Sequence, residues 1–245
     1  MTTDAVILAA GRGTRLSTLG RSAPKGFLRV GEEPIIVESL ARLFTAGIQS
    51  VTIVTGHLAE FYDELAARDK RISTVHNHQF ANSGSMFSLF QLRNRVHRDF
   101  LLLESDLVYE QRALTLTQEF PNDSCLLVSG FTNSGDEVWV EANHGSLVAL
   151  SKNREELGDV HGELVGITKV STALFRRMCQ IAEERFNESL QVEYESVLTS
   201  AAQKTPVPCL RIDDLVWAEI DTEGHLDRVR TGIYRELQER SKKDI

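Results

Sequence analysis

The first hundred residues alternate short apolar segments with segments of helical periodicity, and few folds accommodate this order. The apolar, strand-like segments are residues 4–9, 50–55, 72–75 and 99–106. The helical segments lie between them, at about residues 34–46, 58–67 and 87–96. Continuous apolar strands that are joined by helices predict a mostly parallel sheet with both faces covered. The predicted fold class is therefore α/β.

The second half of the chain has a different order, with several strand-like segments in succession. These segments are residues 125–130, 137–141, 146–150 and 164–167, followed by helices near 171–186 and 194–203, strands near 207–212 and 216–221, and a helix near 225–240. Successive strands predict an antiparallel extension of the same sheet. No linker rich in proline, glycine or serine separates the halves, so we expect one domain over residues 1–245, with a fraying charged end at 241–245.

The charge of the chain is acidic overall but basic at its start. The chain has 27 Lys and Arg against 35 Asp and Glu, for a net charge of −8. This balance argues against a general affinity for nucleic acid or anionic membranes. Residues 1–30 nevertheless contain a single acid, Asp4, and the basic residues Arg12, Arg15, Arg21, Lys25 and Arg29. They predict a locally bound polyanion, although a solvated basic face has the same composition.

The cysteines and the chain start indicate the compartment. Cys125, Cys179 and Cys209 have no CxxC spacing, so neither a disulfide framework nor a zinc site is predicted, and we expect reduced core residues. The start "MTTDAVIL" lacks the basic region of a signal peptide, and no apolar run approaches about 18 residues. We expect a cytoplasmic protein without a membrane partner, and a homodimer is one of the assemblies compatible with these features.

A glycine-rich turn, "LAAGRGTRL", follows the first predicted strand. Glycines at positions 11 and 13 allow backbone N–H groups to approach a phosphate closely, because glycine permits positive φ and has no side chain. Arg12 or Arg15 can then add charge-assisted hydrogen bonds. The turn is therefore a candidate phosphate site.

Two common phosphate loops do not fit this turn. A dinucleotide fingerprint needs a third glycine where Leu16 stands, and Pro24 falls where that motif would still be helical. A P-loop needs a lysine directly after its second glycine, whereas Lys25 comes later, after a proline. Both readings are therefore poor.

The arrangement of strand, glycine loop and then Pro24-Lys25 resembles the nucleotidyltransferase signature L-A-A-G-x-G-x-R-L…P-K, over Leu8–Leu16 and Pro24-Lys25. The resemblance implies a Rossmann-like, GT-A-like three-layer sandwich with a mixed, mostly parallel central sheet. It implies that a nucleoside triphosphate is bound by Leu8, Ala9, Ala10, Gly11, Arg12, Gly13, Thr14 and Arg15. Arg15 would bind the β- and γ-phosphates, and Lys25 would neutralise charge at the α-phosphate and the acceptor. Residues 1–130 would then bind the nucleotide and residues 131–245 the acceptor.

Triphosphate chemistry requires Mg²⁺, which takes one or two protein carboxylates and otherwise keeps phosphate oxygens and water. Asp106 follows a predicted central strand, where open α/β sheets bind ligands, and Asp221 ends the strand-like "WAEID". The resemblance implies that these two aspartates hold the catalytic metal, although each could instead cap a helix or turn. Glu104 and Glu219 lie two residues earlier on the same strand faces and are second choices.

The segment "FANSGSMFSLFQL" places Ser83, Gly84 and Ser85 ahead of a predicted helix. From the residues alone, these could recognise a base edge or form an ordinary helix-capping turn. The segments "GSMFSL" and "SDLVYE" resemble a cytidylyltransferase subgroup that acts on phosphocholine or 2-aminoethylphosphonate. Gly84 and Ser85 stand where that subgroup has asparagines. The resemblance implies CTP as the nucleotide, with base recognition by this segment.

The candidate acceptor residues lie in the second half of the chain. A quaternary ammonium favours an aromatic cage, whereas a primary ammonium donates hydrogen bonds to carboxylates. The candidates for an ammonium are Glu137, Glu163, Tyr194 and Glu195, and Lys152 is the candidate for the anionic end. The segments "DEVWV", "LSKN", "HGELVGITKVS" and "DLVWAEID" resemble the 2-aminoethylphosphonate enzymes more than the phosphocholine enzymes.

With the resemblance, the sequence predicts a Mg²⁺-dependent cytidylyltransferase that transfers CMP from CTP to 2-aminoethylphosphonate and releases pyrophosphate. Arg15, Lys25, Asp106 and Asp221 are the predicted catalytic residues, and Lys25 also contacts the acceptor. A phosphocholine cytidylyltransferase and a sugar-1-phosphate nucleotidyltransferase share these motifs. A nucleotide-binding regulatory domain without catalysis is an alternative from another class. His76 and His78 alternate on one strand face, but no third zinc ligand stands nearby in the sequence.

Overall fold

In this computed structural model, residues 1–16 and 19–241 are described. The predicted fraying end falls largely on residues 242–245, which lie outside the described residues. Within that part of the chain, the strands are β1 Asp4–Ala9, β2 Ser50–Thr55, β3 Ile72–His76, β4 Phe100–Glu104, β5 Leu107–Tyr109, β6 Cys125–Ser129, β7 Trp139–Asn143, β8 Ser146–Ser151, β9 Val160–Val170, β10 Cys209–Ile212 and β11 Trp217–Glu219.

Helices and short helical turns connect the strands. The α-helices of the described chain are α1 Leu19–Ser22, α2 Ile35–Thr45, α3 Glu60–Arg68, α4 Ser85–Phe90, α5 Gln111–Glu119, α6 Thr172–Phe186, α7 Tyr194–Ala202, α8 Glu223–Arg228 and α9 Tyr234–Ser241. Short 3₁₀ turns are Thr14–Leu16, Lys25–Phe27, Phe80–Asn82 and Arg154–Glu156, and Val229–Ile233 is a π-helical turn between α8 and α9.

One mixed sheet runs through both halves of the chain. Its order is β10-β6-β9-β4-β1-β2-β3, and β7 joins β9 and carries β8. β1 pairs in parallel with β2 and β4, and β2 with β3, whereas β9 runs antiparallel to both β4 and β6. The predicted mixed, mostly parallel sheet with an antiparallel extension is confirmed. β5 and β11 form a separate antiparallel pair.

Both faces of the sheet are buried, as the continuous apolar strands require. Val6 and Leu8 of β1 face a core that α4, α6 and α7 cover. Ala5 and Ile7 face the opposite core, which α2, α3 and α5 cover. The α/β fold with three layers thus follows from strands that have no polar face.

A third apolar cluster lies beneath the carboxyl-terminal helices. It contains Leu16 of the glycine loop, Leu28 after the Lys25 turn, Ile220 before Asp221, and Leu226 of α8. Each of these residues is almost fully buried. The cluster therefore packs together the chain segments that carry the candidate catalytic residues.

Several element boundaries differ from the predicted ones. α3 begins at Glu60 because Leu58 has a positive φ of 52° and cannot continue a helix. α4 ends at Phe90, after which successive backbone bonds span three residues and form turns. α5 was not predicted, because the alternation of Leu and Thr within Gln111–Glu119 hides its helical period. β9 is longer than the predicted strand 164–167.

Candidate active site

Three chain segments meet where strands end, and they bring the two predicted aspartates together. Asp106 follows β4, and Asp221 follows β11. β11 pairs antiparallel with β5, which sets Glu219 opposite Leu107. The backbone N–H of Ile220 donates to the carbonyl oxygen of Asp106 at 3.1 Å. This strand pairing holds two aspartates that are 115 positions apart (221 − 106) beside the same site.

Lys25 connects these aspartates. Its ammonium donates to Asp106 Oδ2 at 2.7 Å and also to Asp221 Oδ1. Burial alone would lower the pKa of Lys25, but the two carboxylates outweigh burial and raise the pKa far above its ordinary value. Burial would likewise raise the pKa of Asp221, yet the Lys25 charge and hydrogen bonds hold that pKa well below its usual range. Both groups are therefore charged at neutral pH.

The turn that carries Lys25 depends on a glycine that sequence reasoning missed. Pro24 precedes a 3₁₀ turn at Lys25–Phe27, in which Gly26 is buried. A Cβ on Gly26 would lie 2.9 Å from Tyr62 Oη and 3.0 Å from the Ser105 carbonyl oxygen. The absence of a side chain lets the Lys25 turn approach the end of β4 closely. The only signal in the sequence was that a glycine follows the Pro-Lys pair.

The glycine loop places Arg15 at the same aspartate. Gly13 has a φ of +60°, and Arg15 lies in the following 3₁₀ turn. Its guanidinium is half-exposed and pairs with Asp221 Oδ2 at 2.8 Å and Asp136 Oδ2 at 2.6 Å. Of the other predicted loop residues, Arg12 and Thr14 are exposed.

Three carboxylate side chains cluster at the site. Ligand oxygens of Glu104, Asp106 and Glu219 all lie within 4.8 Å of one another. Burial raises the pKa of Glu104 and of Glu219, and neighbouring carboxylates raise both further. Close oxygen ligands fit a hard divalent cation such as Mg²⁺, whose charge would displace the protons that these raised pKa values favour. This group contains Asp106 and the two glutamates that were second choices, but not Asp221. Asp221 pairs with Arg15 and, like Asp106, with Lys25.

Two adjoining spaces share a wall of four carboxylate side chains. The first, the glycine-loop cleft, has a volume of about 960 Å³ and is lined by residues of the loop, the Lys25 turn and the Ser83–Ser88 segment. The second, the carboxylate cavity, has a volume of about 620 Å³ and is more enclosed. The residues lining both are Glu104, Glu195, Glu219 and Asp221. A ligand in one space would therefore meet a ligand in the other at these side chains.

Four of the five predicted acceptor residues in the second half line these spaces. Glu137, Lys152 and Glu195 line the carboxylate cavity. Tyr194 lines the glycine-loop cleft, and its hydroxyl donates to Glu104 Oε1 at 2.7 Å. Glu163 is buried and lines neither space; its two oxygens accept from the N–H and the hydroxyl of Thr132, each at 2.7 Å. The contacts of Glu163 position the Thr132 loop.

Trp217 and Arg228 are two of the cavity residues that the sequence analysis missed. Both line the carboxylate cavity. Within the described chain, Trp217 Nε1, Arg228 Nε and Glu195 Oε2 are buried without a hydrogen-bond partner. Buried polar atoms are normally paired, so these three suit a polar ligand with both donors and acceptors. Trp217 stood in the quoted segment "DLVWAEID", but no pattern marked Arg228.

The predicted base-recognition segment is fixed by the chain just before α7. Gly84 donates its N–H to the Leu190 carbonyl at 2.8 Å. The Ser85 N–H and hydroxyl both donate to a carboxylate oxygen of Glu193, and the Ser85 hydroxyl accepts from Tyr194 N–H at 2.8 Å. Ser83, Gly84 and Ser85 all line the glycine-loop cleft.

Gly84→Ala tests this close packing. The added Cβ would lie 2.4 Å from the Val192 carbonyl oxygen, and backbone must move to relieve that overlap. We expect the free energy of unfolding to fall by about 1–3 kcal/mol, as for overpacking in general. Urea unfolding measures it, with Gly232→Ala as the matched control because nothing lies within 4 Å of a Cβ there. Equal stability of the two variants would contradict this packing.

Other predicted features lie outside the site. Cys125 and Cys179 are buried free thiols, and Cys209 is a partly buried one. The rings of His76 and His78 lie 4.7 Å apart. In the described ranges, Glu104, Asp106 and Glu219 form the one group of potential ligands with metal-like spacing. No helix in that part of the chain has the length and apolar content needed to cross a bilayer.

Comparison with known proteins agrees with this geometry. The MobA-like NTP transferase domain family matches residues 5–185. The chain is 24% identical over 228 residues to the 2-aminoethylphosphonate cytidylyltransferase of Lancefieldella rimae, covering 91% of this chain and 90% of that one. It is 30% identical over 233 residues to the CMP-5'-(3-aminopropyl)phosphonate synthase of Streptomyces rubellomurinus, covering 90% of this chain but 37% of that longer protein.

Solved structures share the fold. The CTP:phosphocholine cytidylyltransferase of Streptococcus pneumoniae superposes with a TM-score of 0.79 at 18% identity, over 94% of this chain and 99% of that one. The inositol-1-phosphate CTP transferase of T. maritima gives a TM-score of 0.77 at 19% identity, over 95% and 98%. The chain therefore belongs to the MobA-like NTP transferase family and is a nucleotidyltransferase, as its glycine loop predicted.

Proposed function

We propose that this chain is a Mg²⁺-dependent cytidylyltransferase that transfers CMP from CTP to 2-aminoethylphosphonate and releases pyrophosphate. One observation carries the proposal: the glycine-loop cleft and the carboxylate cavity meet at one wall, and the Lys25 ammonium binds Asp221 of that wall and Asp106 of the cleft beside it. A nucleotidyl transfer requires two substrates whose phosphorus groups meet beside a fixed positive charge.

The glycine-loop cleft suits the nucleotide. Ala9, Ala10 and Gly11 of the loop line one side of the cleft, and Arg15 supplies a half-exposed guanidinium. A guanidinium forms two parallel hydrogen bonds with phosphate oxygens, which suits the β- and γ-phosphates. The Ser83–Ser85 segment lines the same cleft and is available to the base.

The carboxylate cavity suits an acceptor with a primary ammonium and an anionic end. Glu137 and Glu195 offer acceptors for ammonium protons, and Lys152 and Arg228 offer positive charge. Trp217 and His225 are the only aromatic rings among the described residues that line this cavity. Two rings do not form a cage for a quaternary ammonium. Two relatives are named for aminoalkylphosphonates, which supports the same choice.

The reaction needs positioning and charge more than proton transfer. A phosphonate oxygen attacks the α-phosphorus in line, and the bond from that phosphorus to the bridging oxygen breaks, leaving its electron pair on pyrophosphate. A phosphonate dianion has no proton to lose, so no general base is required. Lys25 stabilises the negative charge on the equatorial oxygens, and Asp106 and Asp221 keep it protonated.

The metal residues are part of the same proposal. Glu104, Asp106 and Glu219 would hold Mg²⁺, with Asp221 next to them. When bound, Mg²⁺ supplies Lewis-acid stabilisation of phosphate charge.

Pyrophosphate release tests the function. We expect release with CTP and 2-aminoethylphosphonate and little with UTP, ATP or GTP. Phosphocholine and sugar 1-phosphates serve as competing acceptors in the same panel. Turnover with a sugar 1-phosphate alone would overturn the acceptor, and calorimetric CTP binding without any pyrophosphate release would instead support a regulatory domain.

Asp136→Asn tests the role of Arg15. Asp136 competes with a triphosphate for the Arg15 guanidinium, so its removal should tighten CTP binding. Because exposed ion pairs are worth about 0–1 kcal/mol, we expect the CTP dissociation constant to fall by about two- to fivefold. Calorimetry without acceptor measures it, with Asp213→Asn, a surface partner of Arg211, as the control. Weaker CTP binding in Asp136→Asn would contradict the role of Arg15 in binding the triphosphate.

A further inference from the structure

Asn77 lies just after β3 and is fully buried. Its backbone N–H donates to the Thr55 carbonyl oxygen at 2.8 Å, which attaches it to β2. Its side-chain Nδ2 donates to Ser83 Oγ and to Ser88 Oγ, each at 3.0 Å. Its Oδ1 accepts from the backbone N–H of Gln79 at 2.9 Å. All the hydrogen-bonding groups of this amide side chain are therefore engaged.

The orientation of the Asn77 amide follows from these contacts. A backbone N–H can only donate, so the side-chain atom facing Gln79 must be the oxygen. The nitrogen then faces both serines, and each serine oxygen must accept. A hydroxyl that accepts one hydrogen bond still has its own hydrogen to donate. Neither serine hydroxyl makes another hydrogen bond within the described chain.

Both serines line the glycine-loop cleft, at the segment predicted to meet the base. Ser88 lies in α4 and is 4% exposed, and Ser83 precedes that helix and is partly exposed. Asn77 itself does not line the cleft. A buried hydroxyl hydrogen without a partner favours a ligand atom that accepts.

We infer that Asn77 is a specificity-determining positioning residue: its amide occupies one lone pair of Ser83 and of Ser88 and leaves both hydroxyl hydrogens free to donate, which favours a base edge with two adjacent acceptors. The inference rests on the proposed function, because it explains a preference for CTP. Cytosine presents adjacent acceptors at O2 and N3, whereas the two acceptors of uracil, O2 and O4, are separated by the N3 hydrogen, which would have to use the remaining lone pair of a serine oxygen. A site built for one hydrogen-bond pattern discriminates strongly against the reversed pattern.

Asn77→Asp reverses the polarity with little change of shape. One carboxylate oxygen keeps the Gln79 N–H, and the other accepts from the serine hydroxyls, which then turn their hydrogens away from the cleft. We expect the ratio of kcat/KM for CTP to that for UTP to fall by about tenfold, the loss expected for one hydrogen bond. A purely structural role would lower both values equally, so an unchanged ratio in the folded variant would overturn the inference.

Ser83→Ala and Ser88→Ala keep the test decisive if Asn77→Asp does not fold. Each should weaken CTP binding by about tenfold and UTP binding less, because each removes one donor. Equal losses for the two nucleotides in both serine variants would also overturn the inference. Asn143→Asp makes the same chemical change on an exposed hairpin and is the control.

Failure of the proposed function has a different signature. A wild-type chain that binds no CTP by calorimetry, or prefers UTP, would refute the CTP assignment before any variant is made. A wild-type preference for CTP that Asn77→Asp and both serine variants retain would leave the function intact and refute the role of Asn77.

Discussion

Lys25→Met is expected to lower kcat for the proposed reaction by about 10²–10³-fold, the loss typical of one charge-stabilising donor at a transition state. The ammonium lies in the glycine-loop cleft, where it binds Asp106 and also Asp221 of the shared wall. The KM for CTP should change much less, because Lys25 acts on charge that develops in the transition state. Steady-state pyrophosphate release over a range of CTP concentrations, at saturating acceptor, measures both constants.

The control for this variant is Lys70→Met, which removes an exposed lysine that lines neither space. Its kcat should equal that of the wild type. Because Lys25→Met leaves two carboxylates without their ammonium, its folded fraction must be measured by thermal unfolding alongside activity. A folded Lys25→Met variant with a kcat within threefold of the wild type would remove Lys25 from the mechanism.

Asp106→Asn is expected to lower kcat/KM by about 10²-fold or more, because a metal that stabilises phosphate charge contributes several kcal/mol. The variant removes the one aspartate in the carboxylate group that includes Glu104 and Glu219. We also expect the calorimetric binding of Mg²⁺ in the presence of CTP to weaken. Removal of Mg²⁺ with EDTA should abolish the activity of the wild type, and readdition of Mg²⁺ should restore it.

Asp159→Asn, an exposed aspartate, is the matched control and should bind Mg²⁺ as the wild type does. Glu219→Gln separates two arrangements of the metal. If Glu219→Gln weakens Mg²⁺ binding as much as Asp106→Asn does, the glutamates are ligands, as their spacing indicates. If Asp221→Asn does so while Glu219→Gln does not, the pair of aspartates holds the metal, as the sequence predicted. Unchanged Mg²⁺ binding in all three variants would exclude this cluster as the metal site.

Local patterns were sufficient for much of the fold. The bounds of β1 and β2 match the predicted strands, because a strand buried on both faces must be apolar along its whole length. The helix 225–240 was predicted as continuous, yet a π-helical turn at Val229–Ile233 divides it. The ring of Tyr234, next to that turn, packs against Gly31, a contact with no local signature.

Some residues of the candidate site could likewise be identified from local patterns, and others could not. The glycine loop, Lys25 and the aspartates after strands could be found because each stands beside a local signal, a motif or a strand end. Asp136 could not be assigned to Arg15, because their pairing joins positions 121 residues apart. Asn77 carried no signal either, since its effect passes through two serines that only the turn after β3 brings to it.

The sequence by itself determined the fold class and the chemistry of the phosphate loop, because hydrophobic period, glycine freedom and fixed charge are properties of neighbouring residues. The tertiary structure alone decided which carboxylates share the site and which side chain each one meets. That choice depends on the pairing of β11 with β5, which sets Glu219 opposite Leu107 and Asp221 beside Lys25. Strand register is a long-range property, and it decides electrostatics that no local pattern encodes.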